Sequence, residues 1–168
     1  MVLKLVNIIL AYLCFYLSMS LENQIEQKMF VNHAEKAIVN ISYTHNYIYG
    51  LINTSLKKHS ISIQQFNVLR ILKEQHPKPI TVSEITKRMI DKMSNASRII
   101  DKLNHKNLTK RVQCSYDKRQ VDISLTQKGR ELLIVLSQLV DDKINAHSNL
   151  TVLEYEQLNM LLDKMRIE

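Results

Sequence analysis

Apolar residues recur at helical steps along most of the chain. Between Glu22 and Lys58, Ala34, Ile38, Ile41, Ile48, Ile52 and Leu56 follow steps of three, four or seven, which predicts a long helix with one apolar stripe. Ser62-Ile63-Gln64-Gln65 then reads as a capping box, in which a Ser and a Gln three residues on satisfy two otherwise unpaired backbone donors. The helix it opens carries Phe66, Leu69, Ile71 and Leu72 and must stop before His76-Pro77-Lys78-Pro79, because proline cannot continue a helix. Thr81-Val82-Ser83-Glu84 is a second capping box, opening a short helix with Val82, Ile85 and Met89 inward. After a break at Ile90-Asp91, a further helix is expected from about Lys92 to Lys106, burying Ala96, Ile99, Ile100 and Leu103. Asn95, Arg98, Lys102 and His105 share its other side. Two short helices joined by a tight turn predict a helix-turn-helix.

The period changes from helical to two over residues 109–126. Val112 and Cys114, then Val121, Ile123 and Leu125, alternate with Arg111, Gln113, Asp122 and Ser124, as half-buried strands do. Ser115-Tyr116-Asp117-Lys118-Arg119 forms a polar tip between them, so a β-hairpin wing follows the helix-turn-helix. Thr126 is placed to cap a helix carrying Leu132, Leu133, Leu136, Leu139, Val140 and Ile144. Thr151-Val152-Leu153-Glu154 is a third capping box, before a helix with Tyr155, Leu158, Leu161, Leu162 and Met165. These closing helices carry more apolar stripe than one small domain can cover, which points to a second subunit. The expected fold is mainly α with a small β-hairpin wing: a winged helix-turn-helix plus a helical dimerisation domain.

Charge sharpens this picture. The 168 residues carry a formal +7, yet residues 84–120 hold ten basic side chains against four acidic ones, while residues 121–168 hold five against eight. Nearly all of the excess thus lies in one stretch centred on the helix-turn-helix and wing. A local basic patch beside an acidic remainder is the footprint of a polyanion partner. Two Gly and two Pro argue against Gly-rich nucleotide loops and disordered linkers. Cys14 and Cys114 are too few for a disulfide framework, so a reducing compartment, the cytoplasm, is expected. The histidines show no metal-ligand spacing, no constellation sets a nucleophile beside a base, and neither a cofactor nor an enzymatic activity is indicated.

Residues 1–20 form an apolar leader, uncharged from Leu5 to Leu21. A signal peptide, a short membrane anchor and a packed N-terminal helix all fit its layout, as does an upstream-extended start with Met19 as the alternative initiator. A basic winged domain without disulfides has no use for export, which disfavours a membrane partner.

Three stretches carry a family resemblance: Ile63-Gln64-Gln65-Phe66-Asn67-Val68-Leu69, Ser94-Asn95-Ala96-Ser97-Arg98-Ile99-Ile100-Asp101-Lys102-Leu103, and Tyr116-Asp117-Lys118-Arg119-Gln120-Val121-Asp122-Ile123-Ser124-Leu125-Thr126-Gln127-Lys128-Gly129. The last resembles the D-x-R wing and L-T-x-x-G junction of the multiple antibiotic resistance regulator (MarR) family, and the likeness covers about residues 22–166. It implies a homodimer in which residues 21–60 and 127–168 make the helical dimerisation domain and residues 61–126 the winged helix-turn-helix. Each subunit would address half of a pseudo-palindromic operator in double-stranded DNA, and a small-molecule effector would act from a crevice between the domains.

The candidate DNA-binding residues are Ser94, Asn95, Ser97, Arg98, Lys102, Lys110, Arg111, Asp117, Lys118 and Arg119. Arg98 can pair bidentately with guanine and Asn95 with adenine, whereas Ser94 and Ser97 suit phosphates or base edges. Lys102 and Lys106 are expected to track the backbone, and Lys110, Arg111 and Lys118 to neutralise phosphates. Arg119 would enter the minor groove, with Asp117 holding its guanidinium. Tyr43, His45 and Tyr47, with Tyr49, are the weaker candidates for an effector pocket, though aromatics on a helix face are more often plain core. Cys114 lies beside Lys110 and Arg111, but a packed strand residue is the simpler reading than a redox role. A sequence-indifferent architectural DNA binder and a membrane-anchored regulator are the alternatives.

Overall fold

A computed structural model describes residues 20–27, 29–113 and 121–166 of the protein. The chain falls into two compact units, residues 1–49 and 50–168.

In the first unit a short helix α1 (Leu21–Gln24) precedes the long α2 (His33–Lys57), which runs on into the second unit. The single helix expected from Glu22 is therefore interrupted. Glu26 adopts a positive φ of 54°, and α2 restarts where Asn32 Oδ1 accepts the Glu35 N–H at 2.9 Å and the Glu35 carboxylate accepts the Val31 N–H at 2.5 Å. Lys36 pairs with Glu22, which draws the Glu22 carboxyl below its ordinary range.

In the second unit the three expected capping boxes are all formed. Ser62 opens α3 (Ile63–Gln75), Thr81 opens α4 (Val82–Arg88), and Thr151 opens α7 (Val152–Lys164), each with reciprocal backbone and side-chain bonds to the third residue of its helix. Such a cap contributes about 1 kcal/mol. Thr126 caps α6 (Gln127–Ala146) through the Gly129 N–H at 3.0 Å. Between them lie α5 (Ala96–His105) and two strands, β2 (Thr109–Gln113) and β3 (Val121–Leu125).

The sheet has a third strand that periodicity did not reveal, the two-residue β1 (Ile80–Thr81), paired antiparallel to β3 with Ile80 opposite Ile123. The order is β1-β3-β2, with Thr109 opposite Leu125 and Val112 opposite Asp122. Alternation holds near the helices, where Ile123 and Leu125 are buried, and fails further out, where Val112 and Val121 are exposed.

One hydrophobic core joins the end of α2 (Leu56) to α3 (Phe66, Val68, Leu69, Leu72), α4 (Ile85), α5 (Ala96, Ile100, Leu103), β3 and α6 (Leu133, Leu136, Val140). It covers one face of the helix-turn-helix and leaves the other to solvent. Among the described residues, helix α7 has no fully buried side chain: Leu158 and Leu161, and Met165 just past its end, are exposed, and Tyr155 and Leu162 only partly buried.

Candidate nucleic-acid interface

The helix-turn-helix is made by α4, α5 and a seven-residue connection, Met89–Asn95, longer than the break expected at Ile90-Asp91. The connection is organised by one carboxylate. Asp91 Oδ1 accepts the Met93 N–H at 3.0 Å and its Oδ2 accepts the Ser94 hydroxyl at 2.6 Å. These two bonds, the hydroxyl first, hold the Asp91 carboxyl below the usual carboxylate range. Met89 is buried at the start of the turn, and the Ile90 N–H donates to Asn67 of α3. Asparagine then ends the turn: Asn95 Oδ1 accepts the Arg98 N–H at 3.0 Å, so α5 begins at Ala96 rather than Lys92.

This geometry sorts the expected contact residues. Ser97, Arg98 and Lys102 are exposed on α5, opposite the buried Ala96, Ile100 and Leu103, and Arg98 and Lys102 lie one turn apart. Ser94 is tied to Asp91. Asn95 is the cap of α5, its Oδ1 accepting one bond from the Arg98 N–H, and the residue is exposed at the start of the helix. Lys110 is exposed on β2. Arg111 is not a lone cation, because its guanidinium pairs with Asp101 of α5, with both side chains about half exposed. Asp117, Lys118, Arg119 and Cys114 lie outside the described residues, as do residues 1–19 of the leader, Met19 included.

Lys106 has an intramolecular part that the sequence did not suggest. Its ammonium donates to the Ser60 carbonyl and, at 3.2 Å, to Gln65 Oε1, where burial and the neighbouring Lys102 charge lower its pKa. It ties the end of α5 to the loop between α2 and α3 at the edge of the groove that runs beside α5. Gln65, itself buried, also accepts the Ser62 N–H of the α3 cap.

Beside α5 runs an open groove of about 650 Å³, lined among others by Lys57, Ser62, Gln64, Arg98, Lys102 and Lys106. Among the described residues no Asp or Glu lines it. Sequence reasoning missed Lys57 and the Ser62–Gln65 turn as parts of this surface, because they lie some forty residues from α5 in the chain. The aromatic candidates lie on the α2 surface in the first unit. The Tyr43 hydroxyl donates to Gln24 at 2.9 Å, the His45 ring sits 5.8 Å from that of Tyr49, and Tyr47 is exposed.

The arrangement presents cations and short polar groups on a helix whose other face is fixed in a core, which is chemistry suited to a phosphate backbone and to base edges. Comparison with known proteins agrees. Residues 61–121 match the family model described as MarR family. The regulator MgrA of Staphylococcus aureus, an HTH-type transcriptional regulator, is 30% identical over 113 residues, 67% of this chain and 75% of its own length. The chain belongs to the MarR family. YkoM of Bacillus subtilis, described as an uncharacterized HTH-type transcriptional regulator, is 33% identical over 112 residues, 66% of this chain and 71% of its own. A mutant of Escherichia coli MarR, in its complex with operator DNA, superposes with a TM-score of 0.71 at 27% identity, covering 83% of this chain and 100% of that one. This MarR-family chain is accordingly a DNA-binding transcriptional regulator and not an enzyme. Among the described residues no helix is long and apolar enough to cross a membrane, and no cluster of His, Cys, Asp and Glu could hold a metal ion.

Proposed function

We propose that this regulator is a cytoplasmic repressor that binds a pseudo-palindromic operator as a homodimer, with α5 in the major groove and the wing tip, Ser115-Tyr116-Asp117-Lys118-Arg119, in the minor groove. The observation that carries the reading is the outer face of α5. Ser97, Arg98 and Lys102 are exposed there with no acidic partner among the described residues, while Ala96, Ile100 and Leu103 fix the helix from behind. A dimer built from residues 21–60 and 127–168 fits the exposed apolar residues of α2 (Ile38, Ile41, Ile48) and of α7 (Leu158, Leu161, Met165), which a lone chain leaves in water.

Release by a small ligand is part of the proposal, and the groove is its site. An anion seated between Lys57 and Lys102 would meet four cations and no carboxylate, and it would engage the same Arg98 that faces DNA. The reading is tested by footprinting on the DNA upstream of the protein's own gene, with and without a series of small aromatic carboxylates. Two protected half-sites one helical turn apart are expected, lost on adding an effective carboxylate. Uniform protection without symmetry would favour an architectural binder instead.

A further inference from the structure

Within the most basic stretch of the chain, one large apolar side chain is almost wholly in water. Met93 is 94% exposed, two residues before the Asn95 cap of α5, and Ile90 in the same turn is 82% exposed. The exposure is built into the turn. Met89 turns inward and is 1% exposed, Asn67 holds the Ile90 N–H, and the two Asp91 bonds fix the backbone of Met93 and the side chain of Ser94. Nothing within the described residues covers Met93, and its neighbours in sequence are Lys87, Arg88, Lys92 and Arg98. That cationic setting is ill suited to an apolar protein partner. It suits a polyanion that carries one apolar group of its own.

Double-stranded DNA offers such a group: the C5-methyl of thymine, which stands in the major groove and is read by apolar contact. Recognition helices of this architecture meet base edges with their N-terminal residues, and Met93 stands in the turn just before that end, two residues ahead of the Asn95 cap. We propose that Met93 is a specificity-determining residue that packs against a thymine methyl in each half-site, adding an apolar readout to the polar one made by Arg98. An unbranched thioether reaches and adapts to such a small target better than a β-branched side chain. The inference rests on the reading that α5 enters the major groove.

The test uses full-length protein and a duplex selected by the wild type from a random pool. Selection should enrich thymine at one symmetric position, and replacing it by deoxyuridine, which removes only the methyl, should weaken binding about fourfold, the worth of one buried methyl-sized group. Met93→Ala, at a site too exposed to affect folding, should bind thymine and deoxyuridine duplexes equally and should select no thymine there. A wild type that selects no thymine, that binds both duplexes equally, or whose methyl preference survives in Met93→Ala overturns the proposal while DNA recognition by α5 stands. Failure of the wild type to select any sequence overturns both.

Discussion

Gly129 and the backbone of Leu108 are in direct apposition: a Cβ on Gly129 would stand 2.0 Å from the Leu108 carbonyl oxygen. That same oxygen accepts the Thr126 N–H at 3.1 Å, so the start of α6 is seated on the start of β2 with no room for a side chain. Because the obstacle is backbone, Gly129→Ala must displace a strand or a helix end. It is expected to destabilise the protein by about 3 kcal/mol, the upper end for overpacking. Gly50, in the interior of α2, meets nothing within 4 Å. Gly50→Ala should therefore stabilise by about 0.5–1 kcal/mol through helix propensity. Urea unfolding of the two variants checks the pair, and shifts of the same sign would contradict it.

Arg98 and Lys102 lie one turn apart on α5 but should fail differently. Arg98→Ala is expected to cost about 1–3 kcal/mol on a selected duplex and to relax preference at one position. Lys102→Ala should weaken all sequences alike and lower the salt slope by about one. Arg119→Ala in the wing should cost at least about 1.4 kcal/mol, a tenfold loss. Titrations at several salt concentrations separate these outcomes, and an identical uniform loss from Arg98→Ala and Lys102→Ala would remove the division between reading and positioning.

Neighbouring cations on β2 should also differ. Lys110 has no acidic partner among the described residues, whereas Arg111 is paired with Asp101. Lys110→Ala should lower the salt slope by about one, and Arg111→Ala by distinctly less. The Arg111 pair is exposed enough to contribute under about 1 kcal/mol to stability, so thermal melting should barely change. Equal slopes for the two variants would show that the Asp101 pair opens on DNA.

Acid should loosen the helix-turn-helix at its connection. The folded-state pKa of Asp91 is lowered by the Ser94 hydroxyl and the Met93 N–H, and that of Glu84 by the Thr81 N–H and hydroxyl. A lowered folded value means the stabilisation is complete above the ordinary carboxylate pKa of about 4. It is lost as pH falls through the lowered folded values. The melting temperature should thus drop below that range in the wild type and drop less in Asp91→Asn. A parallel fall in both would remove Asp91 from the account.

Much of this molecule was written in local sequence. The Ser62, Thr81, Thr126 and Thr151 caps each depend on residues three apart, so they could be read directly. The features that escaped notice are set by other kinds of contact. β1 is only two residues long and exists because Ile80 meets Ile123, more than forty positions away. The bonds of Lys106 to Ser60 and Gln65 depend on a fold that brings the α2–α3 loop beside α5, more than forty residues away in the chain. The late start of α5 was legible in principle, since Asp91, Ser94 and Asn95 are all residues that compete with helix for backbone bonds. Periodicity alone extended the helix through them.

The bonds around α5 are unevenly distributed. At its C-terminal end Lys106 grips the α2–α3 loop, the Thr126 hydroxyl donates to Asn107 O at 2.7 Å, and Lys128 donates to Lys106 O at 3.2 Å. Among the described residues, its N-terminal end is held, besides its core face, by the local Asp91 and Asn95 bonds, by the Ile90 N–H on Asn67 and by Lys92 on the Lys87 carbonyl. Treated as a rigid arm hinged at its C-terminal heel, the helix would act as a lever. Ten residues make an arm of about 15 Å, so a tilt of roughly 10° about Lys106 sweeps Arg98 and Met93 through about 2–3 Å. That sweep exceeds the distance tolerance of a hydrogen bond, so in the proposed DNA complex a small rotation at the heel would be enough to break a base contact made by Arg98.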